Sequence, residues 1–261
     1  MRPRKFKSLR TITALMLREM TTTYGRSPGG YVWAILEPVG AVAMVTLVFS
    51  LGLRLRSPSL GVSFVLFYAT GMLAFLMYQR IQVPVTKAIT FSRPLLFYPG
   101  VTYIDTIAAR FALNFLTQLT AFGITMAGIL ALFDTRAVLD LPPILTALAM
   151  AAALGLSIGT LNAFLMPVYP LWKSLWGIVT APLFFVSTIF YTYEDLPEFG
   201  RSILWYNPLV HVVAVMRRGF YPGYDAVWVS YVYVFGVSLA LFFMGIVLLG
   251  RYHRKIVNQD F

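Results

Sequence analysis

Cysteine is absent, which excludes disulfides and thiolate metal sites. Histidine is almost absent: His211 and His253 stand far apart in the chain and form no metal-ligating cluster, so no metal is expected. Charge is thin as well. Charged residues make up 12% of the 261 residues and hydrophobic residues 59%, which leaves no room for a large soluble domain. No glycine-rich phosphate loop ending in Gly-Lys-Ser/Thr occurs, so the chain cannot hydrolyse ATP by itself. Paired carboxylates or other convergent acid–base groups are missing too, and no catalytic residue is assigned. The basic N-terminus runs into no short apolar stretch with a small-residue cleavage site before Tyr31. The first span is therefore expected to be an uncleaved helix rather than a signal peptide.

Long apolar runs are what the sequence has. Tyr31–Leu53 is about the 20 residues a helix needs to cross a bilayer, and five more such runs follow: Val62–Val83, Ile104–Phe133, Pro142–Met166, Leu171–Tyr191 and Val227–Gly250. Lipid offers backbone groups no hydrogen-bond partners, so the spans must be helices. The expected fold class is an all-α membrane protein with six transmembrane helices. Its divisions are a cytoplasmic N-terminus over 1–30, a membrane domain over 31–250 and a cytoplasmic tail over 251–261.

The net charge of +11 is a topology signal rather than a nucleic-acid footprint. With the N-terminus cytoplasmic, fifteen Lys and Arg residues fall inside and six outside (Arg54, Arg56, Arg136, Arg201, Arg217 and Arg218). That bias puts both termini in the cytoplasm, with anionic lipid headgroups as partners of the basic side. Asp134, Asp140, Glu194, Asp195, Glu198 and Asp225 fall outside.

Three segments between the spans carry their own patterns. Ser8–Tyr24 places Leu9, Ile12, Leu15, Met16, Met20 and Tyr24 near one helical stripe. It reads as an amphipathic helix in the cytoplasmic interface, joined to the first span through Gly29-Gly30. Pro84 suits a helix start and Pro94 a helix end, predicting a short cytoplasmic helix over Val85–Arg93. Such a helix either receives force from a soluble partner or is an ordinary loop. Thr192–Tyr224 carries Leu209, Val212, Val213, Met216 and Phe220 at helical spacing, and Gly200, Pro208, Pro222 and Gly223 divide it into two short helices. These either dip into the outer face as a lid or rest on headgroups.

Polar residues inside apolar runs mark function or glue. Glu37, followed by Pro38, either lines a path or pairs with Arg80 or Arg26 near the cytoplasmic face, and the shallow position favours the pair. Arg110, Asn114 and Gln118 recur every four residues, so one face is polar toward a neighbouring helix or a cavity, and helix-to-helix contact is the commoner use. Ala151, Gly155, Gly159 and Ala163 form a small-residue ladder for close packing. The 41 aromatic residues cluster at span ends, as in Tyr31 and Trp33. Phe184, Phe185, Phe190, Tyr191 and Tyr193 lie on a span kinked by Pro182, and their faces could also slide along sugar rings.

Leu17–Pro38 (LREMTTTYGRSPGGYVWAILEP), Ile104–Arg110 (IDTIAAR) and Asn207–His211 (NPLVH) with Arg217 resemble, in that order, segments of the membrane permeases of ABC exporters for capsular polysaccharide, the KpsM-like family. The resemblance covers nearly the whole chain. It implies a homodimer in the bacterial inner membrane, joined to two copies of a separate ATPase that binds ATP and Mg, with no cofactor in this chain. It implies ATPase docking through the interface helix and the second cytoplasmic loop, here Leu17, Arg18 and Glu19 with Lys87, Ile89, Phe91 and Arg93. It implies re-entrant helices before the last span and a channel between subunits bounded by spans one, two and five. Channel and substrate candidates are Tyr31, Trp33, Glu37, Phe185, Phe190, Tyr191, Tyr193, Arg217 and Arg218. The last two either pair with carboxylates of an acidic chain or take a structural role, paired with headgroups or between subunits with Glu194, Asp195 or Glu198. A lipid-linked polysaccharide would be the substrate, and a periplasmic co-polymerase and an outer-membrane export protein the further partners. A permease for O-antigen or teichoic acid, or a membrane enzyme acting on lipid-linked sugars, are the alternatives.

Overall fold

The structure is a computed structural model that describes residues 7–23, 29–49, 57–98 and 100–258. The expectations that fall on Tyr24, Arg26, Arg54, Arg56 and the end of the first span through Leu53 lie outside the described residues, as does the side chain of Tyr31. Among the described residues every regular element is helical.

The helix expected from the N-terminal stripe is α1 (Lys7–Thr23). Next comes α2 (Gly30–Leu47), which follows Gly29 in the left-handed region at φ +76°, a turn that glycine makes without strain. The helix α3 (Phe64–Thr86) is capped by Ser63, which accepts from the Leu66 N–H. Two single turns follow, α4 (Ala88–Phe91) and α5 (Arg93–Leu96). Thr102 and Asp105 form a reciprocal capping box at the start of α6 (Tyr103–Leu132). Prolines 142 and 143 open α7 (Leu141–Val168), where their missing N–H groups would be unpaired anyway. Then come α8 (Pro170–Thr180), α9 (Leu183–Val186), α10 (Glu198–Leu204), α11 (Pro208–Arg218) and α12 (Tyr231–Asn258). Four of these are long and apolar enough to cross a membrane: α3, α6, α7 and α12; α2 contributes a shorter apolar stretch, Val32–Leu47.

At the centre α7 lies between α3 and α12. The predicted small-residue ladder explains how close they come. A Cβ added at Gly155 would sit 2.8 Å from the Tyr78 carbonyl oxygen, and one at Gly159 would sit 2.9 Å from that of Gln82. Across the other face, Gly245 of α12 meets the α7 backbone at Leu161 N, 2.8 Å from its missing Cβ. Backbones this near one another gain dispersion contacts that larger side chains would prevent.

Four expectations are corrected. The fifth span is not one helix over Leu171–Tyr191: Pro182 cannot donate backward, and the chain breaks into α8 and α9. The helix over Val85–Arg93 is not a separate element either. Pro84 lies inside α3, which runs on to Thr86, and Pro94 begins α5 rather than ending a helix. Gly200 sits within α10, and the division from α11 comes at Trp205–Asn207. Finally, α12 starts at Tyr231 and continues to Asn258, so the described part of the tail is helical. As for the lid, α11 does not rest on a surface: nine of its residues, Leu209 through Arg217, are buried against α3 and α7.

Candidate functional site

At one end of the bundle, Arg110 ties together α1, α3, α4 and α6. Its Nη1 donates to the Pro84 carbonyl at 2.7 Å, its guanidinium lies 4.1 Å from the centre of the Phe91 ring, and its Nε approaches Glu19 Oε1 at 3.2 Å. The last contact is an ion pair rather than an aligned hydrogen bond, because that N–H has no acceptor in line. Both side chains are buried, Arg110 at 5% and Glu19 at 7% exposure, and burial raises the Glu19 carboxyl above its ordinary range against the pull of Arg110. Ser8 also donates to Asp105, a second anchor of α1 on α6. Arg93 Nε donates to the Val257 carbonyl at 2.7 Å, bringing the end of α12 to the same place.

These contacts sort the docking candidates. Leu17 and Lys87 are exposed, and Arg18 is half-buried over Phe91. Ile89 does not face outward: at 1% exposure it belongs to the core, so an Asp there would damage the fold before it tested any contact. Glu19 and Arg93 likewise face inward partners.

Above this platform a groove of about 610 Å³ runs between α3 and the broken α8–α9 pair, with Glu37 of α2 on its rim. Lys87, Lys173 and Arg80 line it near the platform, Gln79, Gln82 and Trp176 follow, and Phe75 and Phe184 lie at its far end. Arg80 pairs with Glu37, as expected, with both side chains about half exposed. Lys87 and Lys173 have no ion-pair partner among the described residues. The Glu37–Arg80 pair also walls off a second cavity of about 460 Å³ between α2, α3 and α6, lined by Trp33, Asn114 and Gln118. The polar face of α6 is thus divided: Arg110 is glue, while Asn114 and Gln118 face a cavity.

Beyond Phe184 the groove ends in a ring cluster. Phe190 lies 4.9 Å from Phe49, 5.2 Å from Phe184 and 5.7 Å from Phe185, and Phe184 contacts Phe75 edge-on at 5.3 Å. Phe185 keeps an exposed face. Tyr191 and Tyr193 are engaged elsewhere: the Tyr191 hydroxyl donates to the Phe185 carbonyl and the Tyr193 hydroxyl to the Arg201 carbonyl, while the Tyr193 ring stacks on Trp228 at 3.9 Å. Their rings brace the turn between α9 and α10 more than they line the groove.

The arginine pair is a further correction. Arg217 does not present its side chain to solvent; at 1% exposure it is the largest fully buried side chain among the described residues. Arg218 is exposed, 3.9 Å from Asp225. Sequence offered the signal: Arg217 lies four residues after Val213 on the apolar stripe of α11, and Arg218 lies off it. Gln79, Gln82, Lys173 and Trp176 were not singled out as groove residues. Trp176 and Lys173 lie three apart on α8, a helix whose side chains find no burial in this chain, and that spacing was readable.

Among the described residues, four helices long and apolar enough to cross a membrane, packed as a bundle, are the arrangement of a multi-pass membrane protein. The chain belongs to the ABC-2 type transporter membrane family, whose profile matches residues 10–221. It is similar to the polysialic acid transport protein KpsM of Escherichia coli, 29% identical over 238 residues, 91% of this chain and 92% of that one. It is also similar to the capsule polysaccharide export inner-membrane proteins BexB of Haemophilus influenzae, 24% identical over 251 residues, and CtrC of Neisseria meningitidis serogroup B, 24% identical over 254. Each of those alignments covers 96% of this chain and 94% of the relative.

Proposed function

We propose that this chain is the inner-membrane permease of an ATP-driven exporter that moves lipid-linked capsular polysaccharide out of the cytoplasm. The observation that carries the reading is the groove along α3 and α8–α9, cationic at one end and aromatic at the other, in an ABC-2 chain alignable almost end to end with capsule exporters. Unpaired lysines at the basic end suit an acidic chain, because a Lys ammonium binds as a hydrated point charge and tolerates many orientations as the polymer moves. Trp176 and the phenylalanines offer flat apolar faces to sugar rings.

In this reading two copies associate through the exposed apolar faces of α2 and α8, so that their grooves enclose a channel. The basic end, with α1 and α4, faces the cytoplasm, and α10–α11 form the re-entrant outer part. A pair of separate ATPase subunits, which bind ATP and Mg, docks on the platform through Leu17, Arg18, Lys87 and the half-buried Phe91. A periplasmic co-polymerase and an outer-membrane export protein continue the route, and anionic lipids surround the basic end.

Deleting the gene should leave polysaccharide inside the cell and bare the surface, and the intact gene should restore the capsule. Co-purification should recover a nucleotide-hydrolysing partner, and L17D with K87E should lose it at normal permease levels. A normal capsule in the deletion strain refutes the function; full recovery of the partner with the double variant refutes the docking face.

A further inference from the structure

The turn between α9 and α10 is held in an uncommon way. Thr188 takes a left-handed backbone at φ +57°, a conformation that a β-branched residue adopts only when its surroundings enforce it. The next residues lie outside any helix, and the Ile189 and Tyr191 carbonyls have no backbone donors among the described residues. Arg217 supplies them: Nη2 donates to the Ile189 oxygen at 2.9 Å and Nη1 to the Tyr191 oxygen at 2.8 Å. The guanidinium lies over Phe67 of α3 at 4.1 Å, and no carboxylate pairs with it among the described residues. A buried cation is normally neutralised by an anion; here two carbonyl dipoles and a ring face hold the guanidinium directly, with the Glu194 and Asp195 carboxylates acting on it from beyond ion-pair distance.

From the opposite side, α3 receives the turn at Gly71. A Cβ there would meet the Ile189 Cα at 3.1 Å, its carbonyl oxygen at 3.3 Å and Arg217 Nη2 at 3.5 Å. Between the two carbonyls that Arg217 holds stands Phe190, the ring that joins Phe49 of the α2 end to Phe184 and Phe185 of α9. Moving Ile189 or Tyr191 must move Phe190.

We propose that Arg217 is a positioning residue that latches the turn against α3, and that the ring cluster around Phe190 is thereby kept closed as the gate at the outer end of the groove. The inference rests on the permease reading above. A guanidinium suits this task because its planar fork reaches two carbonyls two residues apart while its face stays on Phe67; an ammonium cannot do both. Hydrogen bonds to neutral carbonyls weaken steeply with distance and angle, so a modest shift of the turn releases the hold as a whole.

The test uses the permease–ATPase complex reconstituted in vesicles loaded with sucrose, a small uncharged probe, without ATP. Wild type should stay sealed. R217M and, from the other side of the same turn, G71A should release sucrose on the order of tenfold faster, the shift that about 1.4 kcal/mol of lost hold would produce. R217K should be intermediate. ATPase binding should be unchanged in all three, which a loss of folding would not allow. Vesicles of R217M as tight as wild type overturn the latch. If R217M fails to fold, G71A decides: leak supports the latch and a sealed vesicle overturns it. ATP-driven export by wild type is measured in parallel, and its absence would refute the permease reading rather than the latch.

Discussion

Arg110 is the most consequential side chain at the basic end, and its removal has a calculable effect. In R110M the Glu19 carboxylate, 7% exposed in the wild type, loses its counter-charge, the Pro84 carbonyl loses a 2.7 Å donor, and Phe91 loses the cation on its face. Breaking a buried pair by removing one member typically costs 3–5 kcal/mol, because the remaining charge is stranded. Replacing both members by apolar residues of similar size is often close to neutral. Thus R110M should be strongly destabilising and E19M clearly so, whereas the two together should recover much of the loss, giving a coupling energy of roughly 1–3 kcal/mol in a double-mutant cycle. The assay is chemical unfolding in detergent followed by tryptophan fluorescence, with limited trypsin digestion at Arg10 and Arg18 to report whether α1 has left α6. If each single replacement costs under about 1 kcal/mol, the value for an exposed pair, then α1 is not anchored as described.

Two other outcomes follow from the packing and the groove. G155A should destabilise by about 1–3 kcal/mol, since its Cβ must displace backbone at Tyr78 rather than a flexible side-chain end; unchanged thermal stability would mean that α3 and α7 are farther apart. K173Q should slow export of an acidic chain with the ATPase still bound, and the wild-type rate should itself fall as ionic strength rises, since exposed charges are screened beyond about 8–10 Å. Equal export rates by the variant at low salt would remove Lys173 from the substrate path.

Much of the architecture is local in origin and therefore legible in the chain. Apolar runs of the length of α3, α6 and α7 can only be helices in lipid, and their ends follow from Ser63, Thr102 with Asp105, and Pro142, whose caps act within a single turn. The small residues Gly155 and Gly159 announced a close helix contact, and Glu37 had a basic partner within reach. What the chain alone left open depends on partners distant in sequence. Pro84 could begin a helix or sit within one; α3 continues through it, and its carbonyl is taken up by Arg110, 26 residues on. Ile89 and Lys87 share a loop, but packing against the core decides that one is buried and the other free. Arg217 and Arg218 are adjacent and chemically identical. A helix turns them about 100° apart, and only the seating of α11 between α3 and α7 makes the first a buried clamp on Ile189 and Tyr191 and leaves the second in solvent.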